Sequence, residues 1–168
     1  FVNGVIEYNL VVDTIGYNLQ IKHQRARPTH VGLPTGASRT IIRHNVWSKQ
    51  HNASTRDTAR PNVLVGHFPL AGVGSNDHYE IYGNFFYENP TEELFQGEGN
   101  IVLHDNLFVN SSPGAVNITA HNDKPRNVTV FHNTVVAAGN GIRVSNVAAA
   151  YVQRIVANAV FAGTPVSG

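Results

Sequence analysis

The chain has 168 residues, 42% hydrophobic and 14% charged, with a net charge of +1, nine histidines, no cysteine and no methionine. This length predicts a single domain; the near-zero charge offers no footprint for nucleic acid, and no run of about 18 apolar residues is present to span a membrane. Without cysteine there is no disulfide, no thiolate catalysis and no thiol-bound zinc, and the redox compartment stays open.

In chain order the sequence keeps returning to one short pattern. It begins with Ile6-x-x-Asn9-x-Val11 and a second apolar segment at Leu19-x-Ile21. Residues 23–38 break the pattern, with Arg25, Arg27, His30, two prolines and two glycines, and read as a loop. The pattern resumes at Ile42, Asn45 and Trp47, and residues 48–61 form a second polar, turn-rich insertion. Val63-x-Val65 is the next strand, followed by a third insertion at residues 66–77. Beyond it the units tighten: Ile81, Asn84 and Phe86, then Leu94-Phe95; Leu103, Asn106 and Phe108, then Val116-x-Ile118; Val130, Asn133 and Val135, then Ile142-x-Val144; and finally Ile155, Asn158 and Val160.

Six asparagines thus stand 36, 39, 22, 27 and 25 residues apart, each with an apolar residue three before it and another two after it. Spacings of this size belong to repeat architectures in which each unit needs its neighbours to bury its apolar face. The apolar residues alternate with period two and favour Val, Ile, Phe and Tyr, so the segments are strands and not helices. Two or three short strands per repeat predict an all-β fold, a parallel β-helix (a solenoid) of about six to seven coils. Asparagine suits the sharp corner of each coil, because it tolerates left-handed backbone and its amide bonds local backbone. Coils stacked about 4.8 Å apart would let the amides bond one another as a ladder. Ordinary turn asparagines between antiparallel strands are the competing reading, but the Asn-Gly hairpins that reading favours are missing.

One domain spanning 1–168 is expected, either processed or part of a longer solenoid, with end-to-end or domain contacts at uncapped coil ends. Asn52, Asn110, Asn117 and Asn127 head N-x-Ser/Thr triplets, which a strand protein rich in Asn and Thr produces freely. The insertions fall in the first half, where they would stand side by side and build a binding surface.

Aligning the second strands puts Lys22, Gly66, Gly97, Thr119 and Ser145 in one column, and His23, His67, Glu98, Ala120 and Asn146 in the next. Lysine, histidine and glutamate beside basic loops suit an acidic sugar chain, since cations neutralise its carboxylates and a base can take the proton alpha to one. Solvated strand ends on a polar wall would look the same. A second group, His121, Asp123, Lys124 and Arg126 with Asp77 and His78, has no paired metal-ligand spacing and reads as a charged turn. No metal site or cofactor is expected, and calcium has no sequence support. A third column, Tyr8, His44, Gly83, Asp105 and His132, with Arg43, Tyr82, His104 and Phe131 one step earlier, offers rings on which sugars could stack.

As a whole, the repeat resembles the pectate-lyase-like superfamily of right-handed parallel β-helix proteins over nearly the entire chain. Three segments are similar to polysaccharide lyases of the alginate lyase and chondroitinase B type. That resemblance implies a catalytic lysine at Lys22 in LQIKHQ. It matches the family's Leu-x-Leu-Arg-His-Gly strand to Val63–His67, and its Gly-Glu-Gly to Gly97–Gly99 ahead of Asn106-Leu107-Phe108. Gly66 stands where the family has its acid arginine, and Leu94 where it has a substrate-binding arginine. The expected function is therefore binding of an acidic polysaccharide by the loop wall, with Arg25, Arg27, Arg60 and His44 contacting substrate. The alternatives are β-elimination of uronate chains by Lys22, His23, His67 and Glu98, and a structural or adhesive solenoid segment. An extracellular or periplasmic location goes with each.

Overall fold

The structure is a computed structural model describing residues 1–27, 32–51 and 56–168. His30, the Asn52 triplet and the middles of the first two insertions lie outside the described residues. Among those described there are sixteen strands, one 3-10 turn at Arg56–Thr58 and no α-helix.

The strands form two sheets, and every pair in them is parallel. The first holds β1 (Val5–Glu7), β4 (Arg39–Arg43), β7 (His78–Tyr82), β10 (Ile101–His104), β13 (Val128–Phe131) and β15 (Gln153–Val156), in that order. The second runs through β2 (Leu10–Val12), β5 (Val46–Ser48), β8 (Phe85–Tyr87) and β11 (Leu107–Asn110) to β14 (Thr134–Val144). It then returns through β12 (Gly114–Ile118), β9 (Phe95–Gly97), β6 (Val63–Val65) and β3 (Leu19–Ile21), while β16 (Ala159–Ser167) runs beside β14. β14 makes the turn: its first residues pair with β11 and its last with β12, so the sheet curls back on itself.

The repeat explains this order, because each strand pairs with its counterpart in the next repeat. Ile6, Ile42, Ile81, Leu103, Val130 and Ile155 are successive register partners. So are Val11, Trp47, Phe86, Phe108, Val135 and Val160. Both columns face inward, and with Val63, Phe95, Val116 and Ile142 they fill one continuous core. Strands of three to five residues could not persist alone; here the interior ones are held on both flanks, β1, β2, β3 and β15 at the edges on one, and each core side chain they bury is worth about 1.5–3 kcal/mol.

The six asparagines form a single file. Nδ2 of Asn9, Asn45, Asn84, Asn106 and Asn133 each donates to Oδ1 of the next asparagine, at 2.9–3.0 Å. Each Oδ1 also accepts the backbone N–H of the preceding asparagine. One expectation is corrected: the left-handed residue is not the asparagine but the one before it. Tyr8, His44, Gly83, Asp105, His132 and Ala157 have φ between +51° and +63°. Such backbone normally costs about 1–2 kcal/mol outside glycine. Every ladder amide offsets it by donating to the carbonyl two residues back, across the bend, at 2.8–3.0 Å.

A second amide stack lies at the corner before β6, where Asn89 donates to Oδ1 of Asn62 at 2.9 Å and accepts nothing from it, while its backbone N–H reaches Oδ1 of Asn110 at 3.0 Å. This stack carries no constant apolar offsets in the sequence, which is why the repeat pattern does not announce it.

Candidate functional site

Where β3, β6 and β9 end, the chain leaves the core at three adjacent points. Gly66 N–H donates to Ile21 O, and Glu98 N–H donates to Val65 O. The register pairs Val65 with Gly97 and Gly97 with Ile118, so the column after the strands is Lys22, Gly66, Glu98 and Thr119. Glu98 therefore stands beside Gly66, one place earlier than the sequence alignment put it. The cause is Gly97, which points inward: a Cβ on it would lie 2.6 Å from Ile101 Cδ1. Leu94 and Phe95 are both buried in the core, but Phe95 is the register partner of Val63 and Val116, and period two counted from Leu94 picks the wrong register.

The shift does not separate the group. The rings of His23 and His67 meet edge to face with centroids 4.8 Å apart. Glu98 is 2% exposed, and its Oε1 lies 3.6 Å from His67 Nδ1. Its other oxygen accepts the backbone N–H groups of His121, Asn122 and Asp123 at 2.8–3.0 Å. A carboxylate so held is a fixed anchor: its Oε1 accepts the backbone N–H of His67 at 3.4 Å while Oε2 pins residues 121–123. Gly66 keeps this close, since a Cβ there would press on both Glu98 Oε1 and Lys22 Cβ at 3.1 Å. Partial desolvation, followed by the neighbouring Lys22, His67 and His121, pushes the His23 imidazole below its ordinary range against the pull of Glu98.

The floor of the site is built from residues whose part the sequence did not signal. Tyr79, buried in the core, donates its hydroxyl to Gly66 O at 2.9 Å and stacks on Phe68 at 4.7 Å. Arg126 is 4% exposed and donates to Phe68 O, Pro69 O and Ser75 O as well as to Asp123, clamping the 66–77 loop. A charged residue in a turn gave only the charge; its carbonyl partners come from a loop about fifty residues earlier.

The four residues expected to contact substrate are dispersed. Arg25 is exposed and borders a groove of about 470 Å³ shared with His23, Gln24, Arg27, Leu33 and Asp77. Arg27 is nearly buried: its guanidinium pairs with Asp77 and donates to Pro34 O and Gly36 O, making it a loop clamp. Arg60 enters β6 from the end opposite His67 and lies 6.0 Å from the Tyr17 ring. His44 sits at the ladder corner, stacked on Tyr8 at 5.3 Å. Lys22, His23, His67 and Glu98 are thus brought together with Arg25 alongside, while Arg60 and His44 stand elsewhere.

The insertions behave likewise. Residues 23–38 and 66–77 bond one another through Gln24 N–H to His67 O and Arg27 N–H to Val73 O. The 48–61 segment instead lies between β5 and β6, where fully buried Lys49 donates to Gly16 O and Arg60 O. In the aromatic column Tyr82, His104 and Phe131 stack on each other at 4.9 and 4.7 Å and 9° and 10° from parallel, so the faces between them are taken up. Among the described residues no group of three His, Cys, Asp or Glu is arranged to hold a metal ion, and no helix is long and apolar enough to cross a membrane.

No protein-family model, curated protein or solved structure matches this chain.

Proposed function

We propose that the chain is a right-handed parallel β-helix of the pectate-lyase-like kind, acting outside the cell, that binds an acidic polysaccharide at the Lys22, His23 and His67 cluster. The supporting observation is that three strand ends bring an ammonium and two imidazoles together, with Arg25 on the adjoining groove. Among the described residues, the carboxylate in their midst, Glu98, is tied up by three backbone amides. A sugar carboxylate would find cations there without meeting a free anion, and hydrogen bonds to charged groups are the stronger kind. Binding should appear as retarded migration through gels containing alginate, pectate or chondroitin sulfate, relieved by salt and weakened severalfold in Lys22→Ala. Unretarded migration in all three would refute it.

A second reading, polysaccharide lyase, is favoured by the carboxylate that faces His67 Nδ1 at 3.6 Å. In that chemistry Lys22 or His23 takes the proton from the carbon beside the uronate carboxylate. The electron pair forms a carbon–carbon double bond as the glycosidic oxygen leaves, and His67 returns a proton to that oxygen. The unsaturated product absorbs in the ultraviolet, so rising absorbance on mixing, lost in Lys22→Ala, separates lyase from binder.

A further inference from the structure

The outer face of the six-stranded sheet carries a pocket that the Lys22 cluster does not use. Val102 on β10 and Thr129 on β13 are register partners pointing away from the core. Asn76 near the end of the 66–77 loop and His78 at the start of β7 stand on one side of them and Asn127 on the other, around an open hollow of about 370 Å³. The back wall is fixed: Asn100 donates to Ser75 O and Asp77 O at 3.2 and 2.9 Å and accepts both nitrogens of Asn127 at 3.3 Å.

We infer that this pocket is a binding site for one neutral pyranose unit, held by Asn76, His78, Asn127 and Thr129 over the Val102 side chain. Its size falls in the range of small-ligand sites, about 300–1,000 Å³, which typically combine an apolar surface with a few placed polar groups. Amides, a hydroxyl and an imidazole both donate and accept, as the hydroxyls of a sugar require. Val102 and the Thr129 methyl give its C–H face an apolar floor. Burial holds the His78 imidazole below the ordinary histidine range, with Glu80 and Asp77 pulling up and Arg39 down, which favours its neutral form.

The pocket lining carries no carboxylate and no Lys or Arg. Of the charges at its border, Arg39 pairs with Glu80 at 2.9 Å, Glu80 faces His104 at 3.7 Å and Asp77 is taken by Arg27, while Arg154, the register partner of Thr129 on β15, is exposed and in no ion pair among the described residues. A uronate placed here would lose water from its carboxylate and gain no cation from the lining itself. A wholly apolar ligand would strand the amides and the hydroxyl. The site is independent of the acidic-polysaccharide reading, lying on a different sheet from Lys22.

The test uses the whole chain, labelled with ¹⁵N, titrated with neutral hexasaccharides of glucose, mannose, galactose and xylose and with hexagalacturonate. At least one neutral hexamer should shift the side-chain amide signals of Asn76 and Asn127. Thr129→Val, which keeps the shape and removes the hydroxyl, should weaken that binding at least tenfold with an unchanged circular dichroism spectrum, and Lys22→Ala should leave it unaltered. Shifts with hexagalacturonate alone, no shift with any neutral hexamer, or full affinity in Thr129→Val would each overturn the inference.

Discussion

Asn106 shows how much one residue holds. Its Oδ1 accepts both nitrogens of Asn84, and its Nδ2 serves Asn133 Oδ1, Ile81 O and His104 O, all near 3 Å and mostly buried. Alanine at this position would strand polar groups on two neighbouring repeats and unclamp the left-handed bend at Asp105 (φ +51°). With unsatisfied buried groups costing about 1–3 kcal/mol each, Asn106→Ala should lower unfolding free energy by about 3 kcal/mol or more in urea titrations. A loss under about 1 kcal/mol would mean the ladder decorates the corner without holding it. The asparagine was legible because it recurs at constant offsets from core residues. The left-handed residue before it was not, because Tyr, His, Gly, Asp, His and Ala share no chemistry; only the bend they occupy is common.

At the scale of elements, the site is set by how loops are tied to strand ends. Arg27, Asp77 and Ser38 join the first and third insertions, and Ser38 N–H donates to Asp77 at 2.8 Å. Burial alone would raise the Asp77 pKa, but the Arg27 and Ser38 hydrogen bonds outweigh it and hold the carboxyl below its ordinary range. A depressed carboxyl contributes stability that is complete above its unfolded value, about 3.9, and is lost as pH falls through the lower folded value. Wild type should therefore exceed Asp77→Asn in stability at neutral pH, and the gap should close as the pH falls through the depressed folded value. A gap constant with pH would show that the ion pair contributes little. Strand existence was readable throughout, yet the register of β9 was not: Leu94, Phe95 and Gly97 are resolved only by the space that Ile101 occupies in the core. The loop clamps were equally hidden, since Arg126 finds its carbonyls on a segment distant in sequence.

For the molecule as a whole, parallel stacking turns sequence distance into lateral distance. Residues 44 positions apart, His23 and His67, become neighbours across one strand spacing, and the candidate site exists only because they do. The columns Ile6 to Ile155 and Val11 to Val160 make that stacking legible from the chain alone. What binds at the site was legible only as a type of chemistry, because the column supplies charges and rings without the shape of a partner. The chain has no cysteine, which allows the stacking to be tested cleanly. Adjacent parallel strands stand about 4.8 Å apart, inside the Cα separation of about 4.4–6.8 Å that a disulfide spans. The measurement is the free-thiol content of His23→Cys/His67→Cys after mild oxidation of the folded protein. An intramolecular disulfide, with no titratable thiol left and no dimer, is the predicted result; two free thiols that pair only after unfolding would contradict the stacking and the site built on it.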